Sequence, residues 1–249
     1  MLLRRLHQFL LLYALGVGAL LLLKAALGLS DYVIPAPAEI WGTARRYCGL
    51  YAASVANTLA VAVLGHLLSI ALATAVGVIG RLTAWAGSFI RMAAYNIQAY
   101  PIVAVAPIIF ILLGDGLASR LLIAAMICYF PLLLAFIGVF SEPVREVEHF
   151  FVSTRRMTWR LEIKIRAFEN IGKLSTVVVG SATMAVVGTI VAEFIAATAG
   201  IGYRIRIALY QSDLAKILLA LFLIGIATSL YLVALEWAGA ALERRLKRA

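Results

Sequence analysis

The chain is short of charge, and of negative charge above all. Only 14% of its 249 residues are Asp, Glu, Lys or Arg, and 12 acidic side chains face 22 basic ones. Apolar residues make up 64%, against about 45–50% in soluble domains. With a mean hydropathy of +1.00, too little polar surface is left to cover a water-soluble globule. The same figures exclude disorder and collagen-like repetition. Two cysteines, Cys48 and Cys128, and three scattered histidines, His7, His66 and His149, provide neither a disulfide framework nor metal-ligand spacing, so no metal or cofactor is expected. Catalytic signatures are missing too. Gly172-Lys173 is followed by Leu174 and lacks the earlier glycine of a phosphate-cradling loop, and there is no H-E-x-x-H, no G-x-S-x-G and no pair of intramembrane aspartates. The chain is not expected to be an enzyme.

What the sequence has instead is long apolar runs. A membrane span needs about 20 such residues, and six runs qualify, at about 9–29, 54–80, 87–113, 118–140, 175–199 and 216–239. The expectation is an all-α membrane protein, a single transmembrane unit over residues 1–249. The first run follows Arg4 and Arg5 and exceeds the ~7–15 residues of a signal-peptide core, which favours an uncleaved helix. Gly114-Asp115-Gly116 is the only turn-forming cluster between the third and fourth runs and divides them. A net charge of +10 suits nucleic acid in a soluble protein, but in an apolar chain it marks cytoplasmic flanks of membrane helices. No nucleic acid partner is expected. When the connections are assigned alternately to the two sides, 15 of the 22 Lys and Arg fall with the termini, among them the 141–174 loop and the tail Arg244, Arg245, Lys247 and Arg248. Both termini are therefore expected in the cytoplasm.

A few polar features interrupt the apolar background. In the loop from Ser141 to Lys173, charges alternate with Phe150, Phe151, Met157, Trp159 and Phe168, a pattern that predicts a short amphipathic helix. Such a helix sits in a groove on a soluble partner or lies in the lipid interface. Glu193 falls near the middle of the fifth run, where a carboxylate is costly and marks a helix contact or a transport path; the plainer reading places it at the wet outer end. Gly180, Ser181, Ala185, Gly188 and Ala192 form a small-residue stripe that lets helices approach closely. Asn96, Gln98 and Tyr100 precede Pro101 and Pro107, which either bend a helix beside a polar path or make an ordinary kink. His66 reads as an interhelical hydrogen-bonding residue. On the outer side, Ile34-Pro35-Ala36-Pro37 is extended and leads into a helix, Gly200-Ile201-Gly202-Tyr203 is a turn, and Arg204, Arg206 and Lys216 make the surface basic.

Taken in order, these pieces resemble the inner-membrane permeases of bacterial binding-protein-dependent ABC importers, in the nitrate, sulfonate, taurine and bicarbonate branch. The resemblance rests on Val33-Ile34-Pro35-Ala36-Pro37-Ala38-Glu39-Ile40-Trp41, Asn57-Thr58-Leu59, Tyr100-Pro101 with Ala106-Pro107, Leu113-Gly114-Asp115-Gly116 followed by Ala118-Ser119-Arg120, Phe130-Pro131, Met184-Ala185, Val191-Ala192-Glu193 and Gly200-Ile201-Gly202-Tyr203. It implies six spans in the bacterial inner membrane and a solute path shared with a second permease chain. It also implies ABC ATPase subunits and an extracytoplasmic binding protein as partners. In that family the 141–174 loop carries E-A-A-x-x-x-G on a short helix that docks on the ATPase. Here that Glu-Ala-Ala falls on His149-Phe150-Phe151, its glycine on Arg155 and its two prolines on Phe168 and Gly172. The resemblance then implies docking through Phe150, Phe151, Met157, Thr158 and Trp159, or pairing with a different permease that keeps the usual loop. The path is expected along Asn96, Gln98, Tyr100, Ser181, Met184 and Glu193. A channel or secondary transporter that works without an ATPase is the alternative; no inverted repeat or filter sequence favours it.

Overall fold

The computed structural model describes residues 2–246; Lys247 and Arg248 of the basic tail lie outside them. The described residues form ten helices and no strand: α1 (Leu2–Leu27), α2 (Pro37–Gly80), α3 (Ala84–Gln98), α4 (Ile102–Leu113), α5 (Leu117–Ser141), α6 (Arg145–Ser153), α7 (Trp159–Glu169), α8 (Ile171–Ile195), α9 (Ile201–Tyr210) and α10 (Leu214–Leu246). Five of them, α1, α2, α5, α8 and α10, are long and apolar enough to cross a membrane, and α3 with α4 qualifies only as a pair bent by 90°.

Most boundaries follow from local chemistry. Helix α2 starts well before the apolar run that announces it, because Pro37 stands at its first position, where a missing N–H costs nothing. The expected single run 87–113 is two helices. Proline disfavours helical backbone at the residue before it, so α3 stops ahead of Tyr100-Pro101 and α4 restarts from Pro101, whose backbone is extended at ψ 121°. Gly114, with φ +78°, closes α4, at the turn the sequence marks. The 141–174 loop holds two short helices rather than one, and α8 already begins at Ile171. The outer turn is confined to the residues up to Gly200 (φ +95°), since Ile201–Tyr210 is helical.

At the centre, α2, α5 and α8 pack closely through small residues. A Cβ on Gly65 of α2 would lie 2.9 Å from the Ala124 Cβ of α5, and one on Gly188 of α8 would lie 3.1 Å from the Ala124 Cα. In lipid, such close backbone approach is a main source of helix association. Of the sequence stripe, Ser181, Ala185, Gly188 and Ala192 are buried, while Gly180 faces outward. Helix α10 packs against α2 and α8, and α1 packs on α10 through Phe9, Tyr13 and Phe222. Leu12, Leu15 and Leu22 stay exposed, as suits a surface against lipid.

Contacts also set direction. Asn57 meets Arg120 near one end of the α2–α5 pair and Gly77 meets Phe136 near the other, so residue numbers rise together along both helices and the two run parallel. Glu193 with Arg120 makes α8 antiparallel to α5, and Arg5 with Glu236 makes α1 antiparallel to α10. From Thr58 to Gly80 α2 rises about 33 Å, at roughly 1.5 Å per residue, close to the ~30 Å of bilayer hydrocarbon. The bent pair α3–α4 carries the chain back over that height.

Packing at Gly65 gives the first expected outcome. Gly65→Val should lower resistance to unfolding in SDS-containing micelles by about 1–3 kcal/mol through overpacking. Gly138→Ala, where an added Cβ meets open space, should be neutral or gain up to about 1 kcal/mol. Equal responses would mean that Gly65 does not limit the approach of α2 to α5.

Candidate functional site

Polar side chains in this bundle gather at three levels. At the end where α5 begins, Glu193 is fully buried two residues before α8 ends. Arg120 of α5 forms an ion pair with it and also donates to Asn57 Oδ1 at 2.7 Å. The Thr58 hydroxyl donates to Glu193 Oε2 at 2.7 Å and accepts from the Ile201 N–H at 2.8 Å, while the Gly202 N–H donates to the same carboxylate oxygen at 3.0 Å. Both glycines of the outer motif are required here. Gly200 lies so close to the carboxyl group that a Cβ would collide with it, and a Cβ on Gly202 would come within 2.7 Å of the Glu193 Cβ. Glu193 is thus near the end of α8 yet fully buried, and its role in the structure is a contact among α2, α5, α8 and α9. Arg206 caps α8, donating to the Ile195 carbonyl at 2.8 Å and the Ala197 carbonyl at 2.8 Å, and Lys216 pairs with Asp213. Much of the basic surface expected at this end is therefore engaged internally.

At mid-height, His66 of α2 spans two neighbours, with Nδ1 2.7 Å from the Tyr231 hydroxyl of α10 and Nε2 2.9 Å from the Ser181 hydroxyl of α8. This is the interhelical role the sequence suggests. Of the six path candidates, Ser181 and Glu193 are buried with partners, whereas Asn96, Gln98, Tyr100 and Met184 are exposed. Gln98 and Tyr100 line a groove of about 290 Å³ at the α3–α4 break, with Pro101, Met126, Tyr129 and Phe130. Pro131 has no N–H for the Ile127 carbonyl one turn back, and Ile127 also lines the groove. Asn96 points away from this use, donating to the Met92 carbonyl at 2.9 Å. Met184 stands on the outward face of α8 with Gly180 and Val187. The six do not converge in one chain.

The third level is the 141–174 segment. Phe150 (60% exposed) and Trp159 (58%) project from it, while Phe151 and Met157 are half-buried. Thr158 caps α7, accepting from the Leu161 N–H at 3.3 Å. Between α6 and α7, Arg155 has φ +52°, the left-handed backbone that glycine adopts without strain, at the position where the resemblance puts the loop glycine. A clamp ties this segment to the bundle. Arg166 donates to both Glu148 oxygens, at 2.7 and 3.0 Å, pairs with Glu162 at 2.7 Å and reaches the Phe140 carbonyl of α5. Arg81 at the end of α2 holds the other Glu162 oxygen at 2.7 Å. The Arg166 guanidinium keeps the Glu148 carboxyl below the usual carboxylate range, and Glu148 in turn raises Arg166. Sequence reading counts these four residues only as charges; the i, i+4 spacing of Glu162 and Arg166 is the one local signal of the clamp. It also misses Arg120, although a buried carboxylate demands a partner. Among the described residues no cluster of His, Cys, Asp and Glu could hold a metal ion.

Residues 68–248 match the profile of the protein family described as binding-protein-dependent transport system inner membrane component. The chain is 34% identical over 153 residues to the riboflavin transport system permease protein RibX of Chloroflexus aurantiacus, a match covering 61% of this chain and 55% of that protein. It is 23% identical over 200 residues to the formylaminopyrimidine transport permease protein ThiX of Halalkalibacterium halodurans, covering 78% of each. The chain thus spans little more than half the length of the riboflavin permease.

Two outcomes follow from this geometry. Glu193→Gln or Arg120→Met alone should cost roughly 3–5 kcal/mol in micellar unfolding, since each leaves a buried charge unpaired, and the double variant should cost less than the sum. Strict additivity would show that the two residues do not act as a pair. For the clamp the sign is set by the lowered carboxyl. Its contribution is complete above the carboxylate's unfolded value, near 4.3, and is lost as pH falls through the still lower folded value. Hydrogen exchange of α6, corrected for intrinsic rate, should be flat between pH 8 and 5.5 and rise below 4. Glu148→Gln should raise it severalfold at pH 7, and unchanged exchange in that variant would remove the clamp from the account.

Proposed function

We propose that this chain, which belongs to the family of binding-protein-dependent transport system inner membrane components, is one of two permease chains that line the path of a small solute. ABC ATPase subunits drive the path from the cytoplasmic side, an extracytoplasmic binding protein supplies the solute, and ATP hydrolysis takes place on the ATPase. The whole chain acts as one transmembrane unit in the bacterial inner membrane, with six crossings and both termini cytoplasmic. The helix directions support that count: Arg5 and Glu236 meet at one level, and because α2 and α5 run parallel, α3–α4 has to recross the height between Gly80 and Arg120.

The observation that carries the reading is the α6–Arg155–α7 unit, two short helices around a left-handed residue, with Phe150 and Trp159 exposed and Arg166 clamped to α5. A channel or secondary carrier has no need of a fixed helical segment presenting aromatics to the cytoplasm. We assign ATPase docking to Phe150, Phe151, Met157 and Trp159, with Thr158 holding the start of α7. Because His149-Phe150-Phe151 replaces the usual Glu-Ala-Ala, the partner permease is a different chain carrying the conventional loop. For the path we retain Asn96, Gln98, Tyr100 and Met184 as its exposed members; Ser181 and Glu193 act by positioning α8. The groove at the helix break is aromatic and amide-lined, through Tyr100, Tyr129, Phe130 and Gln98, and suits a flat heterocyclic solute better than a bare inorganic anion. The names of the two relatives, a riboflavin permease and a formylaminopyrimidine permease, support that class over the nitrate and sulfonate solutes of the branch it resembles.

The test is purification of the tagged chain from its native membrane with its associated proteins. An ATPase and a second permease should copurify, and Phe150→Ala with Trp159→Ala should reduce the recovered ATPase at least tenfold while helix content is unchanged. Recovery of the chain with no nucleotide-hydrolysing partner would return the channel reading. A single permease species would replace the heterodimer by a homodimer.

A further inference from the structure

Away from these sites, a cavity of about 500 Å³ opens where α2 ends and α3 begins, lined by Arg81, Thr83, Gly87, Ser88, Arg91 and Ser141 among others. Its lining carries two guanidinium groups and three hydroxyls and no carboxylate. The N-terminal end of α3 is also here, a 15-residue helix whose first turn carries partial positive charge. Two buried polar atoms in the lining lack partners: Arg81 Nε, on a side chain only 7% exposed, and Ser141 Oγ. Among the described residues only one other buried side-chain N or O atom, Arg120 Nε, lacks a partner, and an acceptor supplied from outside the chain is one way such a donor is satisfied. At Gly87 α3 comes close to the end of α2: a Cβ there would lie 2.8 Å from the Gly80 carbonyl oxygen and 3.8 Å from Arg91 Nη2.

Beside the cavity the surface turns apolar. Leu82, Trp85 and Phe89 are all exposed, and the two aromatic rings stack at 5.3 Å. Aromatic residues of this kind settle at the membrane–water interface, and basic pockets beside membrane helices accept lipid headgroups. We propose that this cavity binds a phosphate group, and that the phosphate is the headgroup of an anionic phospholipid whose acyl chains run along Leu82, Trp85 and Phe89. Arg91 and the start of α3 face the phosphate oxygens from one side, Arg81 Nε and Ser141 from the other, while Arg81 Nη1 keeps its bond to Glu162. The proposal rests on the chain being a membrane protein and not on what it transports.

The test is native mass spectrometry of the delipidated full chain, titrated separately with dioleoylphosphatidylglycerol, dioleoylphosphatidylcholine and inorganic phosphate. Phosphatidylglycerol should bind at least about fivefold more tightly than phosphatidylcholine, the factor worth one well-placed arginine. Arg91→Gln with Ser88→Ala should abolish that preference with the unfolding midpoint unchanged, while Arg244→Gln with Arg245→Gln, at the far end of α10, should leave it intact. Equal binding of the two lipids with no binding of phosphate, or a preference that survives the Arg91 variant, would overturn the site. Phosphate binding at the same affinity as phosphatidylglycerol, with no preference between the lipids, would overturn the lipid assignment and give the cavity to a soluble phosphate.

Discussion

A carboxylate cannot be left alone in the interior of a membrane protein, and the pairing of Glu193 with Arg120 is the constraint around which this bundle is arranged. The cost of either charge alone is at least a few kcal/mol, so α5 and α8 must stay in register where the two residues meet. Thr58 brings α2 to the same point, and the Gly202 N–H brings the start of α9. Two glycines let the backbone approach the carboxylate, which turns an unremarkable outer turn into the fourth wall of a buried polar site. Every partner of Glu193 is supplied from within the chain, as it must be where water is absent.

The opposite end of the bundle repeats this logic with different residues. Arg166 joins α7 to α6 through Glu148 and to α5 through the Phe140 carbonyl, and Glu162 extends the chain of charges to Arg81 on α2. With small residues between the two clamps, α2, α5 and α8 form a unit held at both ends and packed in the middle. Under the proposed function, motion in a transport cycle falls to boundaries of that unit: the broken pair α3–α4, the peripheral α1, and the face of α8 that carries Met184. Packed cores switch between discrete arrangements and do not deform continuously, so under the proposed docking a push on α6–α7 is passed to the far end of α5 and α8 as a rigid displacement.

The fold was largely legible in the sequence because lipid imposes a length and a polarity on each crossing. The apolar runs locate the long helices, Gly114 separates α4 from α5, and Pro37 and Pro101 start helices where proline can. What was not legible depends on long-range pairing. Periodicity has no means of linking Arg120 to Glu193 or Arg81 to Glu162, since such pairs lie far apart in the chain and leave no local pattern. The same holds for the path candidates: Ser181 and Glu193 looked alike in being polar within a span, and only packing separates them, buried with partners, from the exposed Gln98 and Tyr100. The two-helix form of the 141–174 segment was missed for another reason. Its break is made by an arginine in left-handed backbone, a conformation that residue type alone does not announce.

That arginine bears on the proposed coupling, in which a loop with so few of the expected residues has to transmit force. A short helix docked on a moving partner works as a lever, and a lever needs a fixed angle and a firm attachment more than a particular set of side chains. At Arg155 the angle is kept, with the Arg156 N–H bonded back to the Phe151 carbonyl at 2.9 Å and the Thr154 N–H to the Phe150 carbonyl at 3.1 Å. Left-handed backbone at a residue with a Cβ costs about 1–2 kcal/mol, and it persists only where the surroundings hold it in place. The attachment is supplied by Arg166, which no hydrogen-bonding side chain of similar length replaces, because it serves two carboxylates and a carbonyl together. In this chain, then, the shape and anchorage of the segment are fixed by backbone and clamp, and its surface differs from the Glu-Ala-Ala pattern of the loop it resembles. That is the combination required if the surface now meets a partner different from the one the conventional loop was built for.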